Sequence, residues 1–132
     1  MSDILATLPY ARFLGLTSAM QDDELIVTMP FADRLVGDPI LPALHGGSTA
    51  AMLEFTAIAE IARLHPALRL PRPINVSIAY LRSGKPLAVS ATARVVRAGR
   101  RVAHVHAKAW QAERDQPIAT LTAHFLMNAD NQ

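Results

Sequence analysis

Cysteine is absent from the 132-residue chain, so disulfides, thiolate chemistry and cysteine-ligated zinc are all unavailable to it. Long apolar runs are absent as well, because no window approaches the roughly 20 uninterrupted apolar residues of a membrane-spanning helix. The opening MSDILATLPYARFLGL has an acidic residue at position 3 and no basic stretch before an apolar block, which is not typical of a signal peptide. We therefore expect a cytoplasmic protein that does not enter a membrane.

Neither sign of charge dominates, since 13 basic residues face 11 acidic ones and the formal net charge is +2. A charge this small does not indicate a nucleic-acid partner. The arginines cluster in the second half of the chain, at Arg94, Arg97, Arg100 and Arg101. Such a cluster can contact one or a few phosphates, or it can lie on a solvated turn, and composition alone leaves both open.

The length is that of one ordinary domain, and 51% of the residues are hydrophobic. We expect a single packed domain over residues 1–132, with a loose tail at 128–132. Periodicity and turn residues predict its elements. In chain order these are a short helix at 3–14 interrupted by Pro9, a strand at 24–30, an ordered loop at 31–44, a helix at 46–64, and strands at 74–81, 87–97, 101–111 and 118–127.

The helix predicted at 46–64 is the longest and most apolar element, and its alanines indicate that other structure encloses it. The strands after Pro73 are joined by short turns, and their small apolar residues alternate with polar ones, as Ala103, Val105, Ala107 and Ala109 do. Each strand therefore offers one face to a common partner, which only this helix is large enough to be. The pattern predicts an α+β fold in which a five-stranded antiparallel sheet wraps round a long central helix.

The sequence His45-Gly46-Gly47 opens the central helix, and Glu54 follows a little more than two turns later. Glycines let a ligand approach the backbone, and the free N–H groups of a first helical turn can hold a developing oxyanion. Apolar neighbours should partly desolvate the Glu54 carboxylate, which favours its use as a nucleophile or general base. The sequence does not choose between those two roles.

The HGG-to-Glu arrangement, together with the segments NVSIAYLR at 75–82 and ARVVRAGR at 93–100, resembles the hotdog-fold acyl-CoA thioesterases. Within that superfamily it is most similar to the phenylacetyl-CoA and 4-hydroxybenzoyl-CoA thioesterase branch. The resemblance runs from about Leu44 to Phe125. It implies a hotdog fold, hydrolysis of an acyl-CoA thioester to a carboxylate and free coenzyme A, and a homodimer or homotetramer whose subunits share each site.

The resemblance assigns roles to individual positions. Glu54 stands where the catalytic carboxylate stands, Gly46 where a backbone N–H polarises the thioester carbonyl, and His45 where a residue orients the loop or the thioester. Further positions expected to bind the substrate are Gly47, Asp38, Ser48, Arg82, Lys85, Arg97, Arg100 and Arg101, the basic ones through the coenzyme A phosphates. No cofactor and no metal is implied.

The chain departs from the family at two positions. Pro39 replaces a Gln or Asn six residues before the motif histidine, and Ile58 replaces a Ser or Thr one turn beyond the carboxylate. Asp38, Ser48, Thr49 or a backbone group is a candidate replacement. The departures keep open a module that binds an acyl-CoA or acyl-carrier thioester without turnover, whereas a hotdog dehydratase or hydratase fits the helical HGG-to-Glu spacing less well. A medium-chain and an aromatic acyl group are both compatible with the alanine-rich helix.

Histidines raise one competing idea. His104 and His106 share a face of one predicted strand and His124 lies on the next, so a metal site is conceivable, but no carboxylate ligand accompanies them. A polar or subunit-contact face is the simpler interpretation. Ser48 and Ser77 have no Ser-His-Asp context, so a hydrolase triad is not expected.

Overall fold

The computed structural model describes residues 3–67 and 70–127, so the predicted tail at 128–132 lies outside the described residues. One long helix packs against one face of an antiparallel sheet. The elements are a 3₁₀ turn Ile4–Thr7, α1 Pro9–Leu14, β1 Thr17–Gln21, β2 Glu24–Met29, a 3₁₀ turn Asp33–Leu35, β3 Val36–Asp38, β4 Ala43–Leu44, α2 Gly46–Leu64, β5 Arg72–Tyr80, β6 Val89–Ala98, β7 Val102–Trp110 and β8 Ala119–Leu126.

The central helix has the bounds that the sequence predicts, Gly46–Leu64. It starts where His45 caps it and ends two residues before the proline at position 66, which a helix interior tolerates poorly. The predicted N-terminal helix is split by Pro9, which takes the first position of α1, the place where its missing N–H costs nothing.

The main sheet has six strands in the order β1-β2-β6-β7-β8-β5, so the predicted count of five is wrong. The additional strand is β1, which forms a hairpin with β2 through the two-residue turn Asp22-Asp23. Both aspartates have positive φ, 50° and 64°, as a tight hairpin turn of this kind requires. A turn of this kind usually has Asn-Gly or Asp-Gly at its two central positions. Because this chain has Asp22-Asp23 there, the sequence pattern did not predict the hairpin.

The segment predicted as a loop at 31–44 also contains regular structure. β3 and β4 form a two-stranded sheet of their own, with Val36 opposite Leu44. A side chain at Gly37 would lie 2.9 Å from Cα of His45, so glycine allows this small sheet to pack directly on the residue that caps α2.

The predicted alternation of the later strands is confirmed. Ala103, Val105 and Ala109 of β7 are fully buried under α2, while the residues between them face away from the helix. The side of the sheet that faces away from α2 is called the outer face below. Leu87 does not take part, because β6 begins at Val89 and Leu87 is 52% exposed.

Strand β5 differs from the other strands and from the expectation that each offers one face to α2. It pairs with β8 along one side, and in the described part of the chain no strand pairs with its other side. Its apolar side chains Ile74, Val76 and Tyr80 are 53%, 38% and 57% exposed. A nine-residue edge strand with exposed apolar residues is an uncovered surface in a single chain.

Within the described ranges, no helix has the length and apolar character needed to cross a membrane.

Candidate active site

The start of α2 is built around His45. Its backbone N–H donates to the carbonyl oxygen of Leu35 at 2.7 Å, and its ring Nδ1 accepts the N–H of Gly47 at 2.8 Å. Accepting this bond requires an Nδ1 without a proton, so a neutral ring carries its proton on Nε2. His45 therefore positions the loop and caps the helix, and the N–H of Gly47 is already used.

The N–H of Gly46 is different, because no acceptor among the described residues binds it. It is one of the donors that every helix leaves unpaired in its first turn, with the positive end of the helix dipole behind it. The carbonyl of the same residue accepts a 2.9 Å hydrogen bond from the hydroxyl of Tyr80. A Cβ atom at position 46 would lie 3.2 Å from the Tyr80 ring, so a larger residue would require that ring to shift by a few tenths of an ångström.

A pocket of about 370 Å³ opens at this end of the helix. Gly46, Thr49, Tyr80 and Arg82 all line it. Arg82 is thus the predicted phosphate-binding residue that the fold brings to the start of α2. Tyr80, for which the sequence allows either a packing role or a place in the wall of an acyl pocket, is an additional side chain that lines this pocket.

Glu54 lies on the side of α2 that the sheet does not cover, with Ala50 and Ala51 as half-buried neighbours. Among the described side chains none forms a hydrogen bond or an ion pair with its carboxylate. Burial raises the pKa of Glu54, because partial removal of water disfavours the charged form. A desolvated carboxylate without a partner is the state that the sequence predicts for a nucleophile or base.

Two predicted substrate-binding side chains have other tasks. The Asp38 carboxylate accepts the N–H groups of Ile40 and Leu41 at 2.9 and 3.2 Å, and so closes its own turn. Ser48 is buried and its hydroxyl donates to the carbonyl of His45 at 2.7 Å. Both side chains thus already have a local structural role, although Oδ2 of Asp38 and the lone pairs of the Ser48 hydroxyl can still accept hydrogen bonds. Their expected contact with the substrate stays a prediction.

Thr49 is the third side chain that is a candidate replacement. It is 4% exposed and lines the pocket beside Gly46, and its hydroxyl has no hydrogen-bond partner among the described residues. Ile58, one turn beyond Glu54, is buried in the hydrophobic core. At the position where the family resemblance leads us to expect a hydroxyl, this chain therefore has an apolar side chain.

The predicted phosphate-binding arginines near the β6–β7 turn are separated from the pocket within one chain. Arg97 pairs in register with His104, at the opposite end of the sheet from the Tyr80–Ala119 pair. His104 pairs in turn with His124, five residues along β8 from Ala119, so this row lies roughly 17 Å from the Tyr80–Ala119 pair. Arg100 and Arg101 lie in the turn at the same far end, between β6 and β7. Lys85 is different, because it directly follows Gly84, which lines the pocket, and its backbone is held by the side-chain amide of Gln111.

The three histidines meet on the outer face of the sheet. The rings of His104 and His124 stack at 4.5 Å, and His106 meets His104 edge-on at 4.9 Å. No group of three or more metal-binding side chains in the described ranges is arranged to hold an ion. The Nε2 atom of His104 is buried without a partner, and loss of water, followed by the nearness of His124 and His106, lowers the pKa of His104.

Comparison with known proteins agrees with this architecture. The family model of the acyl-CoA thioesterase N-terminal domain matches residues 38–126, more than half of the chain. The chain belongs to this acyl-CoA thioesterase family. No curated protein sequence matches it significantly.

Solved structures show the same fold. A protein from Chromobacterium violaceum is 34% identical, with a TM-score of 0.77 over 96% of this chain and 88% of that one. A Bacillus halodurans protein crystallised with CoA is 22% identical, with a TM-score of 0.82 over 98% and 88% of the two chains. A thioesterase enzyme from Staphylococcus aureus, studied as a mutant, is 20% identical, with a TM-score of 0.79 over 92% and 99%.

These findings confirm the hotdog-type α+β fold and the thioesterase family that the sequence predicts. Family membership also supports an acyl-CoA thioesterase enzyme, with the acyl group unspecified. The roles of individual residues stay predictions.

Proposed function

We propose that this thioesterase hydrolyses its acyl-CoA with the N–H of Gly46 as the oxyanion donor and Glu54 as the nucleophile or general base. The observation that supports the proposal is that neither of these two groups has a hydrogen-bond partner among the described residues. Gly46 offers an unpaired donor at a helix start beside a pocket, and Glu54 offers a half-buried carboxylate without a partner.

Either role of Glu54 gives a balanced reaction. As a base, the carboxylate takes a proton from water while the water oxygen attacks the thioester carbonyl carbon. The resulting oxyanion binds the N–H of Gly46, and its collapse breaks the C–S bond and expels the coenzyme A thiolate, which takes up the proton. As a nucleophile, the carboxylate first forms an anhydride and releases the thiolate, and water then hydrolyses the anhydride.

Helix geometry favours a site shared between two chains. Gly46 and Glu54 are eight residues apart on α2, and a rise of 1.5 Å per residue separates them by about 12 Å along the axis. For Gly46 N–H and the Glu54 carboxylate of one chain to contact the same carbonyl group, the Glu54 side chain and the carbonyl group would both have to be fully extended along that axis. A second copy whose α2 lies beside the first would bring its own Glu54 near Gly46 much more easily.

The uncovered edge of β5 supplies a surface for that second copy. Its backbone can pair with another strand, and its exposed Val76 and Tyr80 are suited to packing against the uncovered side of a neighbouring α2. We therefore propose a homodimer, or a homotetramer built from such dimers, in which two shared sites form.

A thiol-release assay over short, medium, long and aromatic acyl-CoAs tests the proposal and identifies the acyl group. Glu54→Gln keeps the volume and removes the charge, so kcat should fall at least about a hundredfold with the fold intact. The matched control is Glu113→Gln, at an exposed position on a loop, which should turn over normally.

Other outcomes of this assay would change the assignment. Near-normal turnover by Glu54→Gln removes Glu54 from the mechanism. Saturable acyl-CoA binding without thiol release selects the non-catalytic module, which the apolar Pro39 and Ile58 favour. Thiol release from a saturated acyl-CoA excludes a dehydratase or hydratase as the sole activity.

A further inference from the structure

The outer face of the sheet carries a groove of about 510 Å³ on the side opposite α2. Strands β6, β7 and β8 form its floor, and their register fixes which side chains are neighbours. Arg94 lies opposite His106, which lies opposite Thr122, and in the next row Lys108 lies between Thr92 and Thr120. All six of these residues line the groove.

The charges of this groove are unbalanced. Three permanent cations line it, Arg94, Lys108 and Arg114, against the single carboxylate of Glu24. Glu24 is bound by Arg114 in an ion pair, and the pKa of Glu24 is lowered first by that hydrogen bond and also by the nearby charge of Lys108. Across residues 3–67 and 70–127, neither Arg94 nor Lys108 has a carboxylate within ion-pair distance.

Arg94 and Lys108 are diagonal neighbours on adjacent strands, so their backbones are roughly 7–8 Å apart. Their long side chains can converge on one ligand that carries two or more linked anionic groups. The hydroxyls of Thr120 and Thr122 add hydrogen-bonding groups on the neighbouring strand. Arginine and lysine at such spacing are suited to phosphate groups, which accept several charge-assisted hydrogen bonds.

We propose that this groove is a second ligand site, for a small molecule that bears a diphosphate. Its volume lies within the range of small-molecule sites, and Arg94, Lys108 and Arg114 would each contact the phosphates. The whole thickness of the sheet separates the groove from α2, so Gly46 and Glu54 are on the other side. A ligand here is therefore distinct from the acyl group at the active site.

Inorganic pyrophosphate is a suitable probe, with sulfate as the single-anion comparison, in calorimetric titrations of the whole protein at low and moderate ionic strength. Pyrophosphate should bind saturably, more tightly than sulfate, and more weakly as salt is added. Lys108→Gln should weaken the binding about tenfold, whereas Lys108→Arg should retain it. Arg12→Gln on α1 removes the same charge at an exposed position away from the groove and should leave binding unchanged.

Thiol release by the same variants separates this site from the active site. Lys108→Gln should retain the acyl-CoA KM and kcat of the wild type, which also shows that the variant is folded. The proposal is overturned if pyrophosphate does not saturate, if Arg12→Gln loses as much affinity as Lys108→Gln, or if pyrophosphate competes with acyl-CoA. It is equally overturned if Lys108→Gln dissociates an oligomer, because the face would then be covered by another copy of the chain.

Discussion

The hydroxyl of Tyr80, the last residue of β5, donates a 2.9 Å hydrogen bond to the carbonyl oxygen of Gly46, the first residue of α2. At the adjacent N–H of Gly47, the ring of His45 accepts a second bond. The peptide unit between the two glycines is thus held at both its oxygen and its nitrogen. Since the neighbouring N–H of Gly46 is the proposed oxyanion donor, its direction depends on this arrangement.

Tyr80→Phe removes only the hydroxyl and tests this arrangement. One neutral hydrogen bond contributes about 1 kcal/mol, so we expect kcat to fall roughly fivefold while KM changes little. The only other tyrosine, Tyr10, is exposed on α1, and Tyr10→Phe is the matched control. If kcat of Tyr80→Phe equals that of the control, Tyr80 is merely a wall of the pocket.

The raised pKa of Glu54 predicts how activity depends on pH. The reaction needs the carboxylate, so kcat/KM should fall on acidification with a midpoint above the ordinary glutamate pKa of about 4.3. Profiles of kcat/KM against pH for the wild type and Glu113→Gln should share this acid limb. A midpoint at or below the ordinary value would show that the carboxylate is not desolvated during catalysis.

The same shift affects stability. A carboxyl group whose pKa is raised by folding favours the folded state below its unfolded pKa, and this contribution is lost as pH rises through the folded value. Glu54→Gln should therefore raise the melting temperature at neutral pH, and the gain should shrink in acid. A melting temperature that is lowered at neutral pH would indicate an unseen favourable partner for the charged group.

The parts of this fold that follow from local pattern were predictable. The bounds of α2 follow from the glycine pair and the proline at position 66, and the inner face of β7 follows from its alternating alanines. The β1–β2 hairpin was missed, because Asp22-Asp23 is not a usual sequence for a turn with positive φ. A pattern of single residues also cannot show which edge of a sheet remains unpaired.

The site was predictable to a similar extent. The positions of His45, Gly46 and Glu54 follow from their places on one helix. The local bonds of Asp38 and Ser48 span two or three residues, at the end of β3 and at the start of α2, and depend on the exact backbone geometry there. The approach of Tyr80 to Gly46 joins residues 34 positions apart, and no local signal indicates it.

Arg82 is the basic residue that shares a pocket with Gly46, and this predicts its effect on substrate binding. Arg82→Gln should raise the acyl-CoA KM roughly three- to tenfold with little change in kcat, since one exposed contact with a phosphate contributes about 1 kcal/mol. The KM of the wild type should also rise with salt. A KM that is indifferent to salt and to Arg82 would place the nucleotide elsewhere, and the Arg97–Arg101 turn of a partner chain would be tested next.

The lowered pKa of His104 leads us to predict that the protein loses stability in acid. Its lowered pKa means that the fold disfavours the charged ring, so its contribution is fully present above the unfolded histidine pKa of about 6.5 and is lost as pH falls towards the folded value. His124 and His106 contact the ring, and Arg97 is the residue paired with His104 on β6, so no carboxylate offsets the charge among these described neighbours. His104→Phe should flatten the fall in melting temperature between neutral and mildly acidic pH. An unchanged slope would show that His104 does not cause the loss of stability.

The shared site makes a prediction about mixtures of inactive chains. Gly46→Pro deletes the donor N–H and suits the backbone, because Pro is favoured at a first helical position and His45 before it is already extended, with φ −67° and ψ 129°. Gly46→Ala is the steric control, since it meets Tyr80 in the same way but keeps the N–H. Gly46→Pro and Glu54→Gln should each be inactive alone.

Unfolding the two inactive variants together and refolding them as an equal mixture should restore activity. Half of the randomly formed dimers are mixed, and each mixed dimer contains one site with both wild-type residues and one with neither. About a quarter of the wild-type sites should therefore return, measured as thiol release per refolded subunit. No recovery in dimers shown to be mixed would mean that Gly46 and Glu54 act within one chain, and the role proposed here for the β5 edge in building the site would be wrong.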